Sequence, residues 1–134
     1  MSVRTKNVYD PPAKDDGYRV LVMRFWPRGV GRSKVDAWEK DLGTLPEDIR
    51  AWKQGKIEWS EFARRYRKAI KPEAAKIAAL ADRARRETVT LLCGCRDEDH
   101  CHRTILKDLL LAAAVRRTSR TTKKKPARKR KAGG

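Results

Sequence analysis

A chain of 134 residues with 40% apolar side chains has room for one domain with a modest core, and no stretch approaches the about 18 consecutive apolar residues of a membrane span. The formal net charge of +17 is unevenly spread: residues 116–134 carry ten Lys or Arg and no acid, while residues 1–115 carry 24 basic and 17 acidic side chains. The start, Met1-Ser2-Val3-Arg4-Thr5-Lys6, lacks the apolar run of a signal peptide, and an odd count of three cysteines argues against a disulfide framework; a cytoplasmic protein is expected.

In chain order, Val3 to Tyr9 predicts a first strand, closed by Asp10-Pro11-Pro12, which cannot continue a ladder. Tyr18 to Phe25 predicts a central strand, because Val20 and Val22 on one face and Leu21 and Met23 on the other are all apolar. Trp26-Pro27-Arg28-Gly29-Val30-Gly31 stops it. Val35 to Leu42 reads as a short helix with Ser33 as N-cap, and Pro46 to Gly55 as another that ends at its glycine. From Trp59, the residues Phe62, Ala63, Tyr66 and Ile70 fall at i+3, i+4, i+7 and i+11, the spacing of an amphipathic helix. A further helix begins near Pro72 and puts Ile77, Leu80, Ala81 and Ala84 on one face. Thr88 to Leu92 is a buried strand, and Ile105, Leu106, Leu109, Leu110 and Ala113 recur at helical spacing after it. Strands separated by helices imply an α/β domain over residues 1–115, with a small, mostly parallel sheet flanked by helices.

All three cysteines and both histidines lie in Cys93-Gly94-Cys95-Arg96-Asp97-Glu98-Asp99-His100-Cys101-His102, on the turn from the last strand into the last helix. Ligands bind at such turns in open α/β sheets, because backbone N–H groups and the helix dipole converge there. Cys93, Cys95 and Cys101 are candidate nucleophiles, with Arg96, Arg103 and the helix terminus favouring a thiolate, and His102 joins them as a candidate catalytic residue. Asp97, Glu98 and Asp99 oppose that effect. The same cysteines with His100 or His102 form a donor set suited to zinc. However, the spacing C-x-C-x5-C-H is not a C-x2-C knuckle and all donors share one short loop, so no cofactor is expected. A structural alternative stays open, in which the cysteines end a buried strand as small apolar residues.

Arg24-Phe25-Trp26-Pro27-Arg28-Gly29 also follows a buried strand, so Arg28 and Cys95 are expected at one sheet edge. Arg24, Arg28, Arg96 and Arg103 would then surround a pocket walled by Trp26 and suited to a carboxylate, a phosphate or a nucleotide. The alternative is a structural loop whose arginines pair with Asp10, Asp15, Asp16 or Asp36. Trp38, Trp52, Trp59 and Tyr66 read as core residues.

Val8-Tyr9-Asp10-Pro11-Pro12, Asp16-Gly17-Tyr18-Arg19-Val20-Leu21-Val22 and Arg24-Phe25-Trp26-Pro27-Arg28-Gly29 resemble the DUF488 proteins, including their YeaO-like branch. Trp38, Trp59, Phe62 and Tyr66 fit the middle of that family's pattern, and Thr88–Leu92 with Arg96-Asp97-Glu98-Asp99-His100 fits its closing strand and turn. The resemblance covers about residues 3–115 and implies a small α/β domain; it does not supply an activity. Two features depart from the pattern. Ile49 to Gly55 lacks the histidine often found after the corresponding helix, and the Cys-Gly-Cys and His-Cys-His-Arg elements look like those of relatives with a Cys-His-Arg ending.

Residues 116–134 contain no large apolar side chain, so they cannot offset their ordering entropy and are expected to be disordered. Lys123, Lys124, Lys125, Arg128, Lys129, Arg130 and Lys131 form a polycation that binds phosphates without reading sequence. Two functions follow: a cysteine-dependent enzyme or anion-binding domain, and a nonspecific nucleic-acid-associated protein acting through its tail.

Overall fold

The computed structural model describes residues 2–94 and 100–113. Strands β1 (Val3–Asn7), β2 (Tyr18–Leu21), β3 (Ala37–Trp38) and β4 (Val89–Cys93) form one sheet in the order β1-β4-β2-β3. Every pairing is parallel: Val3 and Tyr18 both lie against Val89, and Val20 lies against Ala37. β4 is buried along its whole length, which is why its sequence is mostly apolar on both faces and does not alternate; its one polar side chain, Thr90, donates to the Asp16 carbonyl.

Helices α1 (Pro46–Lys53), α2 (Trp59–Ala69), α3 (Ala74–Ala84) and α4 (102–113) complete the α/β fold. One sheet face, with Val20, Val22, Val89 and Leu91, shares a core with Tyr66 of α2, Leu80 of α3 and Leu106 and Leu110 of α4. The other face, with Leu21 and Leu92, packs against Val8, Val30, Trp26 and Val35. Burying the leucines and valines of the first core is the main driving force, at about 1.5–3 kcal/mol for each side chain.

The helix expected over Val35 to Leu42 does not form. Arg32–Lys34 and Lys40–Leu42 are single 3-10 turns and Ala37–Trp38 is the edge strand β3. The Asp36 and Glu39 N–H groups donate to the carbonyls of Arg19 and Leu21, so pairing with β2 overrides local helix preference. Ser33 lies inside the first 3-10 turn and caps no helix; Gly31 holds the N-cap position.

β2 is also shorter than expected, because two side chains take its next acceptors. The Val22 N–H still donates to Leu92, but the Val22 carbonyl binds His102 and the Met23 carbonyl accepts from the Trp38 indole at 2.8 Å. The chain leaves the sheet at Met23 and passes against Gly43, where a Cβ would sit 2.4 Å from the Arg24 backbone nitrogen. The segment from Met23 to Pro27 is thereby held over the carboxyl end of the sheet.

Candidate functional site

Because the strands are parallel, the segments that follow β1, β2 and β4 emerge at one edge. They enclose, with α1 and α2, a cavity of about 580 Å³. Tyr9, Met23–Phe25 and Cys93–Gly94 come from the strand ends; Ile49, Arg50, Trp52 and Lys53 come from α1, and Phe62 from α2. His100, Cys101 and His102 close it from the start of α4.

The chemistry is concentrated at three buried side chains. His102 Nε2 is 2.5 Å from the Val22 carbonyl oxygen. A carbonyl only accepts, so Nε2 carries a proton, and Nδ1 is the ring atom left to face the sulfurs. That atom is 3.8 Å from Cys93 Sγ and 3.9 Å from Cys101 Sγ. The three donor atoms lie within 4.8 Å of one another, so the cluster could hold a metal ion. Tyr66 packs edge-on against the imidazole at 5.3 Å and donates its hydroxyl to the Leu42 carbonyl at 2.7 Å. Burial raises the Tyr66 pKa, with the nearby thiols adding to the shift, so it stays a neutral donor.

The arginines divide. Arg24 lines the cavity, donates to the Thr44 and Gly43 carbonyls at 3.2 Å each, and is 4.0 Å from Asp41. Arg103 is buried and donates to the Cys93 carbonyl at 3.1 Å, fixing the end of β4. Arg28 is exposed; its carbonyl accepts from the Tyr9 hydroxyl at 3.0 Å. Trp26 donates to the Val30 carbonyl and packs edge-on against Trp38, on the sheet face away from the main core. Among the sites expected from sequence, the structure therefore brings Arg24, Cys93, Cys101 and His102 to one cavity. Arg28, Arg103 and Trp26 serve its frame. Cys95, Arg96 and the basic residues Lys123 to Lys131 lie outside the described residues.

His100 was expected only as a metal donor, and the aromatic and α1 residues of the lining were not expected at a site. Trp52 stacks on Phe62 at 5.8 Å and meets Trp59 at 5.1 Å, and His100 meets Trp59 at 5.1 Å. For the α1 residues a signal was present in the i, i+3, i+4, i+7 pattern of Pro46, Ile49, Arg50 and Lys53, which makes one face of α1 a cavity wall.

A family model described as "Active DUF488-N3 subclade" matches residues 3–114. The uncharacterized protein YeaO of Escherichia coli strain K12 is 31% identical over 112 residues, covering 82% of this chain and 97% of that protein. The uncharacterized proteins Mb3100c of Mycobacterium bovis and Rv3073c of Mycobacterium tuberculosis are each 36% identical over 111 residues, 81% of this chain and 92% of theirs. The chain belongs to the DUF488 family, as the Trp-Pro-Arg-Gly segment and its neighbours implied. No solved structure matches it. Among the described residues no helix is long and apolar enough to cross a membrane.

Proposed function

We propose that this protein is a cysteine-dependent enzyme that binds a small anionic molecule in the strand-edge cavity and transforms it at the Cys93/Cys101/His102 cluster. The observation that carries the reading is His102, tied to Val22 through Nε2 and aimed at two thiols through Nδ1. A nucleophile, a base and a group that orients the base is the arrangement that activates a weak nucleophile. In this reading a proton moves from Sγ to Nδ1, and the thiolate bonds to an electrophilic carbon of the ligand. The imidazolium, still held by Val22, returns the proton to the departing atom.

Both thiols are almost wholly buried, so a reagent reaches them only through the cavity. Iodoacetamide is expected to modify Cys93 or Cys101 in the folded protein, and His102→Gln to slow that reaction. Modification that occurs only after unfolding would sink the reading.

One observation favours a second reading, a zinc ion on Cys93, Cys101 and His102. Tetrahedral zinc with Zn–S about 2.3 Å and Zn–N about 2.0 Å has S···N edges of about 3.5 Å and an S···S edge of about 3.8 Å, against S···N distances of 3.8 and 3.9 Å and three donor atoms within 4.8 Å of one another here. A carbonyl on the distal imidazole nitrogen is the usual outer partner of a metal-bound histidine. About one zinc per chain in purified protein, lost in Cys93→Ser, would replace the nucleophile reading with this one. The tail, as a polycation, adds nonspecific contact with nucleic acid to either reading.

A further inference from the structure

Beyond its thiols, the cavity has a charge and a shape. Its charged lining residues among the described ones are Arg24, Arg50 and Lys53, with no carboxylate. Arg24 is engaged by Gly43, Thr44 and Asp41. Arg50 and Lys53 sit one helical turn apart on the cavity face of α1, are exposed, and form no ion pair with any described residue. Two cations held one turn apart on a rigid element beside an apolar wall suit a dianion.

The remaining wall is aromatic. Trp52 and Phe62 are stacked with an interplanar angle of 18°. Tyr9 and Phe25 line the same space and are 57% and 68% exposed, two of the three exposed large hydrophobic residues among those described. Exposed rings gathered at one concavity, rimmed by cations, mark a place that a ligand covers. Flat rings are the partners such faces take best.

From this convergence of Arg50 and Lys53 with the Tyr9, Phe25, Trp52 and Phe62 rings, we infer that the cavity binds a heteroaromatic ring carrying a monophosphate, a ligand of mononucleotide size. The inference deepens the enzyme reading above and rests on the same cavity. It places the phosphate on α1 and the ring between the strand loops and helices, over the Cys93/Cys101/His102 floor.

The test is a tryptophan-fluorescence titration of the full chain with adenosine 5′-monophosphate and uridine 5′-monophosphate at fixed ionic strength. Adenosine supplies the ring without the charge, and inorganic phosphate the charge without the ring. At least one monophosphate is expected to saturate the signal with affinity about ten-fold or more above either control, and Arg50→Gln/Lys53→Gln to remove about that factor while leaving adenosine unchanged. Phe25→Ser, at an exposed position where folding is not at stake, is expected to weaken monophosphate and adenosine alike. Equal responses to phosphate alone, an unaffected double variant, or no saturation by either monophosphate would overturn the inference. Iodoacetamide rates measured on the same preparation without ligand keep the two readings apart. Reactive thiols without monophosphate binding would sink the ligand class alone, and binding without thiol modification would sink the cysteine chemistry alone.

Discussion

His102 holds its orientation through one hydrogen bond, and that makes its two roles separable. Glutamine can keep an N–H toward the Val22 carbonyl but offers no lone pair where Nδ1 now faces the sulfurs. His102→Gln is therefore expected to cost little stability, within about 1 kcal/mol, while slowing iodoacetamide modification by about ten-fold or more. A stability loss without a change in thiol rate, read from denaturant midpoints and mass spectrometry, would make the residue purely structural. Asp16 gives the contrasting case of a buried charge used for the frame. Burial pushes its carboxyl pKa up, but the Ala13 N–H, Lys6 and Arg19 together outweigh that and hold it below the usual range. A carboxylate with a depressed folded pKa contributes stability above the unfolded value of about 3.9, and that contribution is lost as pH falls through the lower folded value. Asp16→Asn should flatten this acid limb and, by leaving Arg19 buried without its charge partner, cost about 3–5 kcal/mol. An unchanged acid unfolding midpoint would contradict the assignment. At this scale the sequence disclosed the Cys/His cluster because its members are neighbours in the chain. It did not disclose that Arg103 would bind the Cys93 carbonyl or that Val22 would hold His102, since both depend on backbone groups from separate strands.

Among the elements, α1, α2 and α3 were legible because burial on one side imposes a period that local composition displays, and β4 because burial on both faces leaves it mostly apolar without alternation. The stretch from Val35 to Leu42 was not, because its conformation is set by a partner. Two residues of β3 pair with β2, and no periodic signal can be read from two residues. β2 lost its last four expected positions for the same reason: its outer acceptors go to Trp38 and His102, which lie 15 and 80 residues away from the carbonyls they bind. This crossing of segments is what holds Met23 and Arg24 over the cavity, and Gly43 permits it. A Cβ at position 43 would sit 2.4 Å from the Arg24 nitrogen and 2.8 Å from the Met23 carbonyl carbon, both backbone atoms that cannot rotate aside. Gly43→Ala is thus expected to destabilise the fold by about 1–3 kcal/mol and to displace the Met23–Phe25 wall. Its stability loss should come with weaker ligand binding, whereas Gly29→Ala, where a Cβ meets nothing within 4 Å, should leave the cavity wall in place despite the strain of its φ of 80°. Equal effects on binding from both variants would remove Gly43 from its assigned role.

For the whole molecule, charge divides into two systems with different salt behaviour. In the proposed complex the cavity residues Arg50 and Lys53 would act at short range on one bound anion. The ten cations of residues 116–134 have no acid among them and no apolar side chain large enough to anchor them, and in the proposed nucleic-acid role they would contact phosphates without reading base edges. Each tail contact releases a condensed counterion. If half of the tail cations contact a duplex, log K should fall against log salt with a slope of roughly −4 to −5. Anisotropy titrations of the full chain with duplexes of unrelated sequence are expected to give this slope and similar affinities for all of them. A chain ending at Val115 should lose nearly all of this binding and keep the thiol reactivity of Cys93 and Cys101. Its sheet, helices and cavity are built from residues 2–113, so the enzyme reading requires nothing from the tail. Sequence-selective binding, or binding as strong without residues 116–134, would place nucleic-acid recognition in the α/β fold and make the cavity its first candidate surface.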